Sequence, residues 1–177
     1  MRKIWMTILA VLLAAVVLLG LYNGLLGVRR GNEEKELLEK MQTLLPGSIA
    51  FEEETYTGED ANIKAAYKAE NGYVVATQTN GYAGPIAMLI GVSDEGKVTG
   101  LQVRKMEETF GLGAKALTDW EFLAQFLGTQ GDAEVGGNID AISGATVTSK
   151  AIARCVNSAV GFVTGADVSS GATAWGG

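Results

Sequence analysis

A run of ten residues, Asp140–Ser149, carries the residue types in this chain that are best suited to binding a phosphorylated ligand. It reads DAISGATVTS and stands just ahead of a segment, about Lys150 to Val163, whose apolar spacing predicts a helix. The start of a helix gathers unpaired N–H donors and a partial positive charge, and Gly144 and Ala145 let a bulky group approach the backbone. The alternative is an ordinary N-cap, because Ser and Thr are common before helices.

Two further segments place glycine where a simple core would not need it, GYAGPI before a strand and ETFGLGAK after one. Each segment alone is typical of a turn. Gly111 and Gly113 could instead expose backbone groups to the edge of a planar heteroaromatic ligand. Thr109 would add a hydroxyl to that loop, and Lys115 would add a cation.

Composition excludes several kinds of site. The chain has no histidine and one cysteine, Cys155, which excludes multi-thiolate iron–sulfur clusters, His-ligated haem, the usual zinc sites and nucleophile pairs that depend on histidine. Cys155 stands on the apolar side of the predicted helix and is expected to be a small buried hydrophobe. Because these metal and thiolate sites are excluded, redox chemistry would require an organic cofactor.

The net charge of the chain is −6, and its sequence has no basic stripe, which argues against binding to nucleic acid.

The segment Ile4–Val28 contains no charged residue and predicts a transmembrane helix. Its helical length of about 37 Å exceeds a hydrocarbon core of about 30 Å. A cleaved signal peptide is the competing interpretation, but its apolar region would be shorter and would end in a cleavage site. Basic residues flank both ends of the segment, so the charges alone do not orient it.

The order of predicted strands and helices along the chain indicates an α+β fold: a small, largely antiparallel sheet with helices packed on it. An amphipathic helix is expected over Glu33–Leu45, ended by Pro46-Gly47. Hairpin signals at Asn71-Gly72 and Asp94-Glu95-Gly96 join candidate strands. The four candidate strands are Ile63–Ala69, Tyr73–Thr79, Ile86–Ser93 and Lys97–Arg104.

A capping box at Thr118–Glu121 predicts the start of a helix, and a flexible loop is expected over Gly131–Asn138. The apolar face of that helix is expected to consist of Trp120, Leu123, Phe126 and Leu127. The predicted organisation is an anchor over residues 1–30, a linker helix and connection over 31–60, one ligand-binding domain over 61–164 and a Gly/Ser-rich tail over 165–177.

The three segments GYAGPIAMLIGVSDEGKVTGLQV, ETFGLGAK and DAISGATVTS occur in the order typical of the FMN-binding domain family. The chain resembles that family over most of the predicted domain. The family includes the G subunit of the Rnf electron-transport complex and the C subunit of the sodium-pumping NADH:quinone reductase, and the compact length is more similar to the former. Asp-x-x-Ser-Gly-Ala-Thr resembles the family's flavinylation motif, which implies that Thr146 carries FMN through a phosphoester.

The resemblance also implies roles for residues around Thr146. Asp140 and Ser143 would be read by a separate flavin transferase or would hold the turn. From the residues themselves, Thr148 and Ser149 are expected to cap the helix. The other residues expected to contact FMN are Ser143, Gly144, Ala145, Thr148, Thr109, Gly111, Leu112, Gly113, Lys115, Tyr82 and Pro85. Two positions depart from the family's usual pattern, since Phe110 replaces a proline and Met106 stands where a histidine is expected.

A second Asp-x-x-Ser-Gly-Ala-Thr occurs at Asp167–Thr173. It lies in the Gly/Ser-rich tail, and no helix is predicted after it. Because the phosphate site depends on a helix N-terminus, we expect Thr146 rather than Thr173 to carry the FMN.

The resemblance implies an electron-carrier subunit of a membrane-bound ion-translocating ferredoxin:NAD oxidoreductase. Its partners would be the other membrane subunits, the flavin transferase and membrane lipid. It would be a single-pass protein of the cytoplasmic membrane, with its FMN domain on the extracytoplasmic side. Two alternatives remain open: a free-standing anchored flavoprotein reductase, and a non-redox assembly or binding subunit.

Overall fold

A computed structural model describes residues 2–106 and 118–166 of the chain. The chain divides into two compact units, Met1–Glu39 and Lys40–Gly177. The first unit consists of helix, and the second contains the sheet and the motif Asp140–Ser149.

Helix α1 runs without a break over Arg2–Leu44, through both the predicted anchor and the predicted amphipathic helix. The residues between those two segments include Gly31 but no proline, and one glycine weakens a helix by only about 1 kcal/mol. The helix ends just ahead of Pro46, as predicted. Over the residues that the structure describes, no helix combines the length and the apolar character needed to cross a membrane. The transmembrane anchor stays a prediction.

The second unit is built on a five-stranded sheet in which every neighbouring pair is antiparallel, in the order β1-β2-β3-β4-β5. The strands are β1 Glu52–Glu54, β2 Ile63–Ala69, β3 Gly72–Asn80, β4 Pro85–Ser93 and β5 Val98–Met106. The predicted antiparallel sheet is confirmed, and β2 to β5 correspond to the four predicted strands. The hairpin signals are confirmed too, with Gly96 at a φ of 75° that favours glycine.

Strand β1 was not predicted, because three consecutive glutamates show no alternation of polar and apolar residues. It forms through backbone pairing with β2, in which Glu52 lies opposite Lys68. All three glutamates are exposed. Charged side chains along an edge strand discourage pairing with another chain.

Two helices follow the sheet, α2 at Trp120–Ala124 and α3 at Thr146–Thr164. The N-cap of α2 is Asp119 rather than Thr118, since its carboxylate accepts a hydrogen bond from Phe122 N–H at 3.2 Å. The predicted cap at Thr118 was therefore wrong.

The predicted apolar face of this helix was right only in part. Phe126 is buried and Leu123 packs against the core, whereas Leu127 is 40% exposed. Trp120 is 70% exposed, and the buried pair is Phe122 with Phe126, whose rings pack edge to face at 5.3 Å. Phe122 and Phe126 are four residues apart, so both lie on the same side of the chain and face the core.

Both faces of the sheet are covered. Alternate residues of β4, including Met88 and Ile90, pack in one core with α3 and the two phenylalanines. The last turn of α1 covers the opposite face, where Gly91 and Gly100 lie against Leu44. Thr99 Oγ1 donates a hydrogen bond to the Leu44 carbonyl oxygen at 2.6 Å.

We predict that Gly91→Ala lowers the free energy of unfolding by about 1–3 kcal/mol, because overpacking a dense contact costs energy of that order. The added Cβ would meet the Leu44 carbonyl oxygen and would lie 2.7 Å from Thr99 Oγ1. Chemical denaturation of the full chain measures the change. Gly137→Ala is the matched control, since its nearest neighbour is the flexible Glu134 side chain at 3.2 Å. Equal effects of the two substitutions would contradict the prediction.

Candidate functional site

The motif Asp140–Ser149 forms a tight turn that leads directly into α3. Gly144 has a φ of 78°, in the left-handed region that favours glycine, and Ala145 N–H donates to the Ile142 carbonyl at 2.9 Å. The helix begins at Thr146, four residues before its predicted start. Ala145 occupies the N-cap position and makes no side-chain cap hydrogen bond.

The prediction that Thr148 and Ser149 cap this helix was wrong, because both are buried within its first turn. The Ser149 hydroxyl instead links the helix to the turn before it. Ser149 Oγ donates to the Ala145 carbonyl at 3.0 Å and accepts from Ile142 N–H at 3.3 Å. A single buried hydroxyl thus holds both ends of the turn that carries Gly144.

The start of the motif is held by Gln125, which lies just after α2. Its side-chain amide accepts from Asp140 N–H at 2.7 Å and donates to the Asp140 carbonyl at 3.4 Å. The backbone of Asp140 is therefore held on both sides, while its side chain stays exposed. Sequence reasoning missed Gln125, since nothing in the local pattern distinguishes a glutamine whose partner is 15 residues away.

The motif exposes some of its residues and buries others. Ser143, Gly144 and Thr146 are exposed, and the neighbouring Val147 is 39% exposed. Ala145 and Thr148 are buried. Thr146 therefore stands at the surface, as the first residue of a helix with no acidic residue in its first turn.

Contacts along α3 set its direction on the sheet. The ring of Phe162, near the end of α3, packs 5.4 Å from Tyr73 at the start of β3. Arg154, nearer the beginning of α3, donates to the Asn80 carbonyl at the end of β3, at 3.3 Å. Helix α3 therefore runs antiparallel to β3. Its first residue lies toward the end of the sheet where β3 finishes and β4 starts, which we call the Asn80 end.

The Asn80 end of the sheet also carries the GYAGPI segment. Gly81 N–H donates to the Gly84 carbonyl at 2.8 Å and closes a turn into Pro85, the first residue of β4. Tyr82 at the tip is 74% exposed, and Pro85 is half-buried. Strand β5 finishes at the same end, with Met106 opposite Ile86.

Several predicted site residues lie outside the described residues: Thr109, Gly111, Leu112, Gly113 and Lys115, together with the second motif at Asp167–Thr173. Of the predicted site residues that the structure describes, the turn with Thr146 and the hairpin with Tyr82 are both directed to the Asn80 end. Arg154 connects α3 to that hairpin through Asn80, and sequence reasoning missed it.

The loop over Gly131–Asn138 is tied to α3. Asn157 accepts from Ala133 N–H at 3.1 Å and donates to the Ala133 carbonyl at 3.0 Å. This two-sided amide contact repeats the arrangement at Gln125 and Asp140. Two side-chain amides therefore hold the backbone of the segment that leads into the motif, Asn157 at Ala133 and Gln125 at Asp140.

Cys155 is fully buried in the core, which confirms the prediction of a small buried hydrophobe. Burial raises the pKa of its thiol to about 11, and the Thr77 hydroxyl beside it acts in the opposite direction. A thiol in this state is protonated near neutral pH and is a poor nucleophile.

Comparison with known proteins places this chain in a family. Residues 81–161 match the model of the FMN-binding domain, a stretch that contains the Tyr82 hairpin, the motif and most of α3. The G subunit of an ion-translocating oxidoreductase complex from Methanosarcina acetivorans is 39% identical over 139 residues, 71% of this chain and 73% of the relative. The chain belongs to this family of G subunits.

Two other G subunits are similar over shorter stretches. One, from a Na⁺-translocating ferredoxin:NAD⁺ oxidoreductase complex of Acetobacterium woodii, is 42% identical over 50% of this chain and 47% of the relative. The other, from a proton-translocating ferredoxin:NAD⁺ oxidoreductase complex of Clostridium ljungdahlii, is 39% identical over 55% of this chain and 59% of the relative. These family members differ in the ion that their names assign, so family membership does not identify the coupling ion.

We predict that Cys155 makes this protein less stable as pH rises from 9 to 11. The folded pKa of about 11 lies above the ordinary value of 9.0, so the stabilisation is complete below pH 9 and is lost as pH rises through 11. As pH rises, the thiol ionises in the unfolded chain before it ionises in the folded protein. The free energy of unfolding therefore falls by roughly 2–3 kcal/mol in total. Denaturant unfolding of the wild-type and Cys155→Ala proteins at pH 7.5 and 10.5 measures it.

The difference between those two proteins isolates Cys155 from other groups that titrate in this range. Burial also raises the pKa of Tyr67, for example, but Tyr67 is present in both proteins. An equal loss of stability in both would show that Cys155 is not responsible.

Proposed function

We propose that this chain is the electron-carrier subunit of a membrane-bound, ion-translocating ferredoxin:NAD oxidoreductase complex, and that its FMN is joined to Thr146 by a phosphoester. The observation that carries the proposal is the exposure of Thr146 as the first residue of α3, within the stretch that matches the FMN-binding domain. The names of the related G subunits supply the type of complex.

The residues around Thr146 fit a phosphate ester. The first turn of α3 has no acidic residue, and its N-cap is an alanine that makes no side-chain cap hydrogen bond. An anion attached to Thr146 would lie beside the N–H groups and the positive end of the helix dipole, an arrangement worth about 0.3–1 kcal/mol at an exposed site. Gly144 has no Cβ on the approach to that position.

The attachment chemistry requires an activated flavin donor. The phosphate of free FMN has no good leaving group, so the donor is a flavin dinucleotide, in which that phosphate is joined to AMP by an anhydride bond. Thr146 Oγ1 forms the new bond to phosphorus, the anhydride P–O bond breaks, and AMP leaves with its electron pair. The hydroxyl proton passes to a base of the flavin transferase. No electron is transferred to or from the protein in this step.

Asp140 serves as a recognition residue for the transferase in this proposal. Its backbone is fixed by Gln125, and its side chain is exposed. A fixed backbone presents the carboxylate and the Thr146 hydroxyl at a constant separation, which lowers the entropy lost when the transferase binds the turn.

FMN, once bound, accepts and donates electrons, and the protein determines its position, potential and access to solvent. Tyr82 and Pro85, at the Asn80 end of the sheet, would line the pocket. The remaining proposed contacts are Ser143, Gly144, Ala145 and Thr148 at the turn, and Thr109, Gly111, Leu112, Gly113 and Lys115 in the ETFGLGAK loop. The tether keeps the carrier bound within the complex, so that effective concentration replaces affinity.

Membrane attachment is the other part of the proposal. The uncharged segment Ile4–Val28 serves as a single transmembrane anchor in lipid, with the N-terminus inside and the FMN domain on the extracytoplasmic side. The partners are the other membrane subunits of the complex, between which the flavin carries electrons, and the transferase that matures it.

We predict that Thr146→Val abolishes covalent flavin and that Thr173→Val leaves it unchanged, because only Thr146 stands at the start of a described helix. The full chain is coexpressed with a flavin transferase, denatured and separated on a gel. Flavin fluorescence and intact mass then report attachment, and one FMN is expected per chain. Thr173 is a matched control, since it lies in the same Asp-x-x-Ser-Gly-Ala-Thr pattern.

Fluorescence that persists in Thr146→Val but disappears in Thr173→Val would overturn the assignment of the site. A wild-type protein that carries no flavin would overturn the carrier function itself and would favour a non-redox subunit.

We also predict that the flavinylated chain copurifies with integral-membrane partners when it is isolated from its native membrane in mild detergent. Mass spectrometry of the purified complex identifies those partners. A flavinylated chain recovered alone, with full flavin content and no membrane partner, would contradict the complex and would favour a free-standing reductase.

A further inference from the structure

The charged residues of α3 are distributed unusually for an acidic protein. The chain has a net charge of −6, yet the only charged residues among the nineteen of α3 are Lys150 and Arg154. Both are cations, and both lie in the first half of the helix.

The spacing of these two residues places them in line with Thr146. Lys150 follows Thr146 by four residues and Arg154 by eight, so all three lie on one side of the helix. Thr146 and Lys150 are exposed and Arg154 is half-exposed, whereas Thr148, Ser149, Ala151 and Ile152 are buried. At a rise of 1.5 Å per residue, this stripe of Thr146, Lys150 and Arg154 is about 12 Å long.

The position of Lys150 is unfavourable unless an anion is nearby. A cation close to the N-terminus of a helix opposes the helix dipole. The first turn of α3 supplies no acidic residue, and no carboxylate among the described residues forms an ion pair with Lys150. An anion at Thr146 would offset this cost by forming a favourable charge pair with Lys150, because an acidic group four residues before a lysine is the favourable orientation on a helix.

Arg154 extends the same stripe to the Tyr82 hairpin. Its guanidinium donates to the Asn80 carbonyl at 3.3 Å, which directs the side chain toward the Asn80 end of the sheet. The positively charged stripe therefore connects Thr146 with the hairpin whose residues are proposed to line the flavin pocket.

We propose that Lys150 is the ionic partner of the phosphate esterified to Thr146, with Arg154 adding to the positive field one turn further along. This inference rests on the proposed attachment of FMN at Thr146 and assigns Lys150 a role that neither the family match nor the motif assigns. The second motif offers a contrast within the chain, because Gly177 stands four residues after Thr173.

The test compares the flavinylated and unflavinylated full chain, as wild type and as Lys150→Gln, Lys150→Arg and Lys97→Gln. Lys97 is the matched control, since it is exposed in the β4–β5 turn, at the opposite end of the sheet. Two quantities are measured at low and high ionic strength: the change in melting temperature on flavinylation, and the initial rate of flavinylation by the transferase.

At low salt we expect Lys150→Gln to reduce the stabilisation that flavinylation gives and to slow attachment about two- to fivefold, the size of an exposed charge pair. Lys150→Arg and Lys97→Gln should match the wild type. All the differences should diminish at high salt, because screening weakens exposed charge pairs. The unflavinylated proteins should melt at similar temperatures, since Lys150 is exposed.

A Lys150→Gln protein that gains as much stability from flavinylation as the wild type at low salt would overturn the proposal. Slower attachment without that loss would also overturn it, because it would place Lys150 in transferase recognition instead. The absence of a flavin adduct at Thr146 in the wild type would mean that the proposed function itself had failed, which is a distinguishable result.

Discussion

The packing of α3 along β3 is the constraint on which the rest of the site depends. Arg154 meets Asn80 at one end of the contact and Phe162 meets Tyr73 at the other. Between them, Cys155, Ala159 and other small or apolar residues of α3 close against the sheet and leave no room for the helix to slide by a turn. Because the helix cannot shift along the strand, its first residue has a defined place near the β3–β4 hairpin.

The turn before α3 is held by polar contacts in addition to the apolar packing of Ile142 and Ala145 against the core. Ser149 bridges Ile142 and Ala145, and Gln125 holds Asp140 by both its N–H and its carbonyl. These bonds keep a small-residue turn rigid without covering it, so that Thr146 stays exposed.

Much of the fold followed from local pattern. The alternation of the strands and the turn chemistry at Gly72 and Gly96 were sufficient for β2 to β5, since both are properties of neighbouring residues. Strand β1 and the contact of Gln125 with Asp140 were not predictable in this way. Each depends on a partner distant in sequence, and neither Glu52 nor Gln125 carries a local signal of its pairing. The start of α3 was misplaced because Thr148 and Ser149 resemble cap residues locally, whereas tertiary packing buries both.

The sequence alone determined the chemistry that is available. Without histidine, and with a cysteine on an apolar helix face, redox work required an organic cofactor. The resemblance of the motif before α3 to a flavinylation motif predicts Thr146 as the attachment point. Only the tertiary structure decided which side chains accompany that threonine at the surface. Burial turned Thr148 and Ser149 inward and left Thr146, Lys150 and Arg154 outward, because a helix packed on a sheet has one covered side and one free side. The covered side is set by contacts across the whole domain, which no stretch of ten residues contains.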